Sequence, residues 1–310
     1  MSHDLTLFSP AGVVLDRASV RRARLRLKAL GYAVTVDAHA LARNQRFAGE
    51  DAARLEALHQ VAQPAPSVAL ATRGGYGLMR LLDGLDWAQI ARSVERGTRW
   101  VGYSDLTLLQ LAALAHKAAG PARGARDRGG FWHGPMACED FGRAPEVGEI
   151  DEVTEGCFTE AMDGDLEAIG FRTEAGFDGL ELSGRLWGGN LSLVNNLLGT
   201  RHWPAVRGGI LFLEDVNEHP YRVERNLLQL HQAGVLDAQK AIVLGHFSDW
   251  RKSPLDRGYS LRSAVAHLRS VCKTPILTGL PFGHVPTKVS LPQGWQTTLV
   301  VEGRNVLMLW

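Results

Sequence analysis

The chain has 310 residues, with 34 Lys and Arg against 33 Asp and Glu, a formal net charge of +1, and 45% hydrophobic residues. This balance excludes a disordered tail protein and gives nucleic acid no electrostatic reason to bind. At about 150 residues per domain, the length suggests two domains able to bury cores without disulfides or a structural metal. Cys138, Cys157 and Cys272 are widely spaced, with no C-x-x-C pair and no clustered histidines; a reduced compartment and no metal are expected. Residues 1–15 lack a basic region followed by an apolar run, and no segment approaches the roughly 18 apolar residues of a membrane span. A soluble protein is expected.

The first half alternates short apolar runs with helical segments, the pattern of a parallel sheet wrapped by helices. Residues 5–8 read as a strand ending at Ser9-Pro10-Ala11-Gly12, residues 18–30 as a basic helix stopped by Gly31, and residues 33–36 as a second strand. A helix over 49–61 precedes a third strand, 67–71, which runs into Arg73-Gly74-Gly75-Tyr76-Gly77. The fourth strand, 99–102, ends at Tyr103-Ser104-Asp105 and is followed by an apolar helix, 106–117. Two strands thus deliver polar or glycine-rich turns to one sheet edge, where open α/β sheets bind ligands. The Gly, Ala and Arg-rich residues 118–130 read as a mobile surface loop without core-forming residues.

Acidic residues 146–155 and polar residues 163–178 read as the crossing into a second domain, giving residues 1–150, a linker 151–178, and residues 179–310. Beyond it, the segment from Leu180 to Leu186 is followed by a glycine turn, Gly188-Gly189-Asn190, and a helix to Leu198. A strand over 209–213 leads to Glu214-Asp215, then come a helix over 220–232, a strand over 241–245, a helix over 261–271, and short strands over 297–301 and 306–309.

Ser104 stands where a buried strand turns into a helix, which exposes a hydroxyl and leaves the following N–H groups free to form an oxyanion hole. The string Gly102-Tyr103-Ser104-Asp105 carries the first half of a G-x-S-x-G elbow, with Leu106 in place of the second glycine; the alternative is that Ser104 caps the helix. The 73–77 turn lacks the spacing of a nucleotide-binding loop. It can bring backbone N–H groups to a reacting carbonyl, with Arg73 available for a carboxylate, or be a plain tight turn. Strand alternation puts Glu214 and Asp215 on opposite sides of the sheet, so that they do not act together. Asp215 and Glu218 resemble a capping box for the next helix. Glu214 is left as a salt-bridge partner for Arg222 or Arg225, or as the group that orients an imidazole. His284 lies in a turn-bounded loop and can reach across a cleft, with His133 and His246 as rivals. Helix-borne histidines, among them His116 and His231, read as incidental.

The order Ser104, Glu214, His284 is that of α/β hydrolases. More specifically, the chain resembles the LD-carboxypeptidases, or muramoyltetrapeptide carboxypeptidases. The matching strings are Arg73-Gly74-Gly75-Tyr76-Gly77, Gly102-Tyr103-Ser104-Asp105, His133-Gly134-Pro135-Met136, Gly184 with Trp187-Gly188-Gly189-Asn190-Leu191, Leu213-Glu214-Asp215 with Glu218, and Gly283-His284. The resemblance implies an α/β fold: a mostly parallel N-terminal sheet with flanking helices, a smaller C-terminal α/β or β-rich domain, and the site in the cleft between them. It implies Ser104 as nucleophile, His284 as base, Glu214 as orienting acid, and the N–H groups of Asp105 and Gly75 as oxyanion donors. Substrate contacts are expected from Arg73, Tyr76, Trp187 and Asn190.

It further implies a cytoplasmic, metal-free and cofactor-free homodimer that removes the terminal D-alanine from murein tetrapeptides during cell-wall recycling. Two alternatives are a same-fold peptidase acting on an aminoacyl-nucleotide antibiotic, with Trp132 or Trp187 as the base platform, and a non-catalytic muropeptide-binding protein.

Overall fold

A computed structural model describes residues 3–120 and 129–310. In chain order its strands and helices are β1 (Asp4–Phe8), α1 (Arg17–Ala29), β2 (Ala33–Val36), α2 (Asp51–Ala62), β3 (Val68–Ala71), α3 (Trp87–Glu95), β4 (Arg99–Val101), α4 (Leu106–Ala115) and β5 (Gly130–His133). They continue as α5 (Glu152–Asp163), β6 (Ala168–Arg172), β7 (Glu181–Asn190), α6 (Leu191–Asn196), β8 (Ile210–Val216), α7 (Pro220–Gln232), β9 (Ala241–Ser248), α8 (Leu261–Val271), β10 (Ile276–Thr278), β11 (Leu291–Pro292), β12 (Gln296–Glu302) and β13 (Asn305–Leu309).

The strands form two sheets. The first has the order β11-β5-β4-β3-β1-β2 and is parallel except for β11, which comes from the far end of the chain and pairs antiparallel with β5. The second has the order β10-β9-β8-β7-β12-β13-β6, parallel from β10 to β7 and antiparallel from β7 to β6. The α/β character thus holds in both sheets. Strands β1, β3, β4 and β5 are apolar and almost wholly buried, as strands covered on both faces must be. Helix α4 is buried on every side from Leu106 to Ala113, which explains why its sequence has no polar stripe.

Several elements differ from the sequence reading. Residues 151–178 are not a bare crossing: Asp151 accepts from the Thr154 N–H at 3.0 Å to start α5, Gly164 ends it in the left-handed region, and β6 forms the edge of the second sheet. The acidic composition concealed these caps. The run 118–130 has buried ends, with Ala118 and Ala119 in the core and Gly130 opening β5. The remainder, residues 121–128 with its three arginines, lies outside the described residues.

The supposed turn Gly188-Gly189-Asn190 is strand. All three residues pair with β8 within the ten-residue β7. A Cβ on Gly188 would fall 1.9 Å from the Phe212 carbonyl oxygen, and one on Gly189 would fall 2.5 Å from Thr107 Oγ1. Glycine is required there because Gly188 meets the backbone of the adjoining strand β8, while Gly189 meets the side chains of Thr107 on α4 and His133 on β5.

Candidate active site

The nucleophile-type turn is set by short-range geometry. Strand β4 ends after three buried residues, α4 begins at Leu106, and Ser104 between them takes φ 61°. A left-handed serine costs about 1–2 kcal/mol, so the surrounding packing must impose it. Part of that packing is Gln110 of α4, whose amide donates to the carbonyls of Gly102 at 2.9 Å and Trp132 at 3.0 Å. Among the described residues no helix N–H donates to the Ser104 hydroxyl; the cap position of α4 is Asp105, also without a side-chain cap bond. The capping alternative for Ser104 therefore does not hold.

The glycine turn lies directly beside it. A Cβ on Gly74 would fall 2.7 Å from Ser104 Oγ and 3.4 Å from the Asp105 nitrogen, so the absence of a side chain lets the two turns touch. The Gly74 carbonyl is held by the Gly12 N–H at 3.0 Å. From the other side, the buried Asp105 carboxylate accepts from the Leu78 N–H at 2.8 Å and so ties the two turns together. Burial pushes Asp105 up to about 6 against the opposing pull of that bond and of Arg54. Among the described residues the N–H groups of Asp105 and Gly75 donate to nothing.

The third component comes from β8. Glu214 is fully buried, and its Oε2 accepts from His284 Nδ1 at 2.8 Å. That bond fixes Nδ1 as the protonated nitrogen and leaves the Nε2 lone pair for other work. Burial disfavours the imidazolium, but the Glu214 hydrogen bond and charge, with Glu139 and Asp215 farther off, outweigh it and raise His284 above the usual 6.5. The His284 ring packs edge-on against Tyr103 at 4.8 Å between centroids, which brings it beside the residue preceding Ser104.

Strand alternation failed at Glu214 and Asp215. The register shifts between Leu213 and Asp215, and both carboxylates accept from the same Asn190 amide nitrogen, at 3.2 and 2.9 Å. The irregularity turns two neighbours toward one partner. Asp215 does not cap the next helix: it accepts from the Ser192 N–H and hydroxyl, while His219 occupies the cap of α7. Glu218 pairs with Arg222 at 3.8 Å.

Of the remaining expected residues, Tyr76 is 44% exposed beside Gly75. Arg73 is partly committed, donating from Nη1 to the Val13 carbonyl at 2.9 Å, with Nε 3.6 Å from Glu139. Asn190 is buried and supports the carboxylates. Trp187 is fully buried with its indole N–H on Gln239 at 3.0 Å, so it is a core residue and not a substrate contact. His133 is also fully buried, and desolvation pushes it down to about 3, unlike an accessible base. His246 is exposed on β9.

The sequence reading missed the wall next to His284. A π-helical stretch, Ala137–Phe141, supplies Glu139, which accepts from the Tyr103 hydroxyl at 3.2 Å, and Asp140, which pairs with the buried Lys288. Tyr103, Glu139, Arg143, His284, Pro286 and Lys288 line a cavity of about 390 Å³. A π turn follows no helical period, so no hydrophobic pattern announced it.

An imidazole held by a buried carboxylate and packed on Tyr103, the residue before a serine hydroxyl that is unbonded among the described residues, is equipped for acyl transfer, the chemistry of serine hydrolases of α/β architecture. Comparison with known proteins narrows this. Residues 5–120 match the LD-carboxypeptidase N-terminal domain and residues 183–299 the LD-carboxypeptidase C-terminal domain. The murein tetrapeptide carboxypeptidase of Pseudomonas aeruginosa is 31% identical over 311 residues, covering 97% of this chain and 94% of that one. The crystal structure of muramoyltetrapeptide carboxypeptidase from Oxalobacter formigenes superposes with a TM-score of 0.86 at 37% identity, covering 98% of this chain and 97% of the other. A structure of MccF in complex with glutamyl sulfamoyl guanosine shares the fold, with a TM-score of 0.84 at 19% identity over 100% of this chain and 96% of that one. The chain belongs to the LD-carboxypeptidase family and is a serine carboxypeptidase.

Proposed function

We propose that the enzyme releases the terminal D-alanine from murein tetrapeptides in cell-wall recycling. The observation that carries this reading is the 2.8 Å His284–Glu214 bond, with the imidazole packed on Tyr103, the residue before the strained Ser104. Ser104 Oγ attacks the carbonyl before the D-residue, and His284 Nε2 takes its proton and passes it to the departing amine. Glu214 stabilises the imidazolium, the N–H groups of Asp105 and Gly75 hold the oxyanion, and water then resolves the acyl-enzyme. The remaining Arg73 nitrogen, Nη2, is left for the terminal carboxylate.

The reading places the nucleophile in residues 1–150 and the acid and histidine in residues 179–310, joined by 151–178, in a cytoplasmic homodimer. No helix among the described residues is long and apolar enough to cross a membrane. The nucleotide-directed alternative keeps the shared fold but not the base platform expected for it, because Trp132 and Trp187 are both buried.

Mass-spectrometric detection of D-alanine tests the proposal, with a diaminopimelate tetrapeptide, an all-L peptide and Ser104→Ala compared. Release by the wild type alone, from the D-terminated peptide alone, is expected. Release from neither peptide would transfer the weight to the nucleotide-directed reading.

A further inference from the structure

We propose that His231, Asp237 and Cys272 form a zinc site at the end of the second sheet remote from the catalytic face. His231 lies in the last turn of α7, Asp237 in the segment leading to β9, and Cys272 directly after α8. Because β8 and β9 are parallel, α7 must run back from the end of β8 that carries Glu214 to the opposite edge, where β9 begins. The three residues therefore sit away from Glu214 and His284.

One histidine nitrogen, one carboxylate oxygen and one sulfur lie within 4.8 Å of one another. His231 Nδ1 is 3.3 Å from Asp237 Oδ2, and Cys272 Sγ is 3.4 Å from Asp237 Oδ1. Around a tetrahedral zinc with bonds of about 2.0–2.3 Å, ligand atoms stand roughly 3.3–3.6 Å apart; the histidine and the cysteine each meet that spacing to one of the two Asp237 oxygens, and drawing the 4.8 Å set together around one oxygen would complete it. His231 Nδ1 is shielded from solvent yet makes no hydrogen bond, which leaves its lone pair free for a cation.

The segments are already fastened together: Thr274 Oγ1 donates to the Leu236 carbonyl at 2.9 Å, and the Lys273 N–H reaches Asp237 at 3.4 Å. The mixture of imidazole, carboxylate and thiol suits zinc rather than magnesium or calcium, which take oxygen ligands. On binding, the Cys272 thiol releases its proton to solvent as the sulfur–zinc bond forms, with no change of oxidation state. Three protein ligands leave the fourth position to water. The metal would clamp the loop before β9 to the end of α8. The sequence reading expected no metal because the ligands fall into no zinc spacing, Asp237 and Cys272 being 35 residues apart.

The test uses the full chain, reduced and treated with chelator, titrated with Co²⁺ and then Zn²⁺. A thiolate-to-cobalt charge-transfer band that saturates at one equivalent and disappears on adding Zn²⁺ is expected, together with a zinc-dependent rise in Tm. Cys272→Ser should abolish the band. His231→Ala should weaken zinc binding by at least the roughly tenfold that losing even an outer-shell partner costs. Hydrolytic activity should be unchanged in both. If Cys272→Ser lowers the metal-free Tm, Asp237→Asn, at a more exposed residue, should keep the band but require at least tenfold more metal to saturate it. Absence of the band, or its survival in Cys272→Ser, overturns the proposal.

Discussion

At the end of β4 the serine hydroxyl and the N–H that follows it are left without partners among the described residues, whereas at the end of β8 each carboxylate is filled. Ser104 Oγ and the nearby N–H groups of Asp105 and Gly75 bond to nothing among the described residues. Glu214 and Asp215, in contrast, receive Asn190, Ser192, the Val216 N–H and His284. The difference is chemical. Groups that must meet a reacting carbonyl cannot be satisfied beforehand, while a buried carboxylate left unsatisfied would be costly and badly aimed. The first end stores backbone strain and the second stores hydrogen bonds.

Ser104→Ala should break the contrast most severely, with a loss of about a millionfold in kcat measured on the D-terminated peptide. Retention of more than about a tenth of wild-type turnover would remove Ser104 from the mechanism. Ser104→Gly should be equally inactive yet raise stability by about 1 kcal/mol in denaturant unfolding, because glycine accepts the left-handed conformation without strain. An unchanged midpoint would show that the turn is not strained.

Glu214→Gln should cost about ten-thousandfold in kcat, since the amide no longer fixes the imidazole tautomer. Its pH profile sharpens the assignment. The base must be neutral, and Glu214 raises His284, so wild-type kcat/KM should rise with pH through a midpoint above 6.5. Without the carboxylate charge, burial dominates and the midpoint should move down. The same raised value makes protonated His284 stabilise the fold below about 6.5, a contribution lost as pH rises through the folded value. An acid limb that stays in place in Glu214→Gln would mean that another group titrates there.

Gly74→Ala probes the contact between the two turns. Its Cβ would lie 2.7 Å from Ser104 Oγ, so kcat should fall about a hundredfold through displacement of the nucleophile, with a smaller effect on Tm. The smallest effect belongs to Trp187→Phe, which loses the Gln239 bond and about 1 kcal/mol of stability. Its KM should be unchanged; a raised KM would return Trp187 to the substrate contacts.

Local signals were legible wherever neighbouring residues settle the structure. The helices expected over 220–232 and 261–271 have those bounds in the structure, where Pro220 opens one and Ser260 directly precedes the other. The strands of the first sheet were legible as buried apolar runs, and the Ser104 turn as a strand meeting a helix. The contacts that make a site of these parts were not. Alternation could not foresee the register shift that lets Asn190 bridge Glu214 and Asp215. Composition could not foresee that Gly188 and Gly189 are strand residues, the first pressed by the backbone of Phe212 and the second by the side chains of Thr107 and His133.

By itself, then, the sequence determined the α/β class, the turn that carries Ser104 and, through its motifs, the family. Those depend on propensities and spacings within a few residues. The tertiary structure alone decided that His284 meets Glu214 across 70 residues of chain, that Trp187 and His133 belong to the core, and that the π-helical stretch walls the cavity beside the imidazole. The physical reason is that burial and long-range pairing are properties of packed sheets, fixed only when distant segments close on one another.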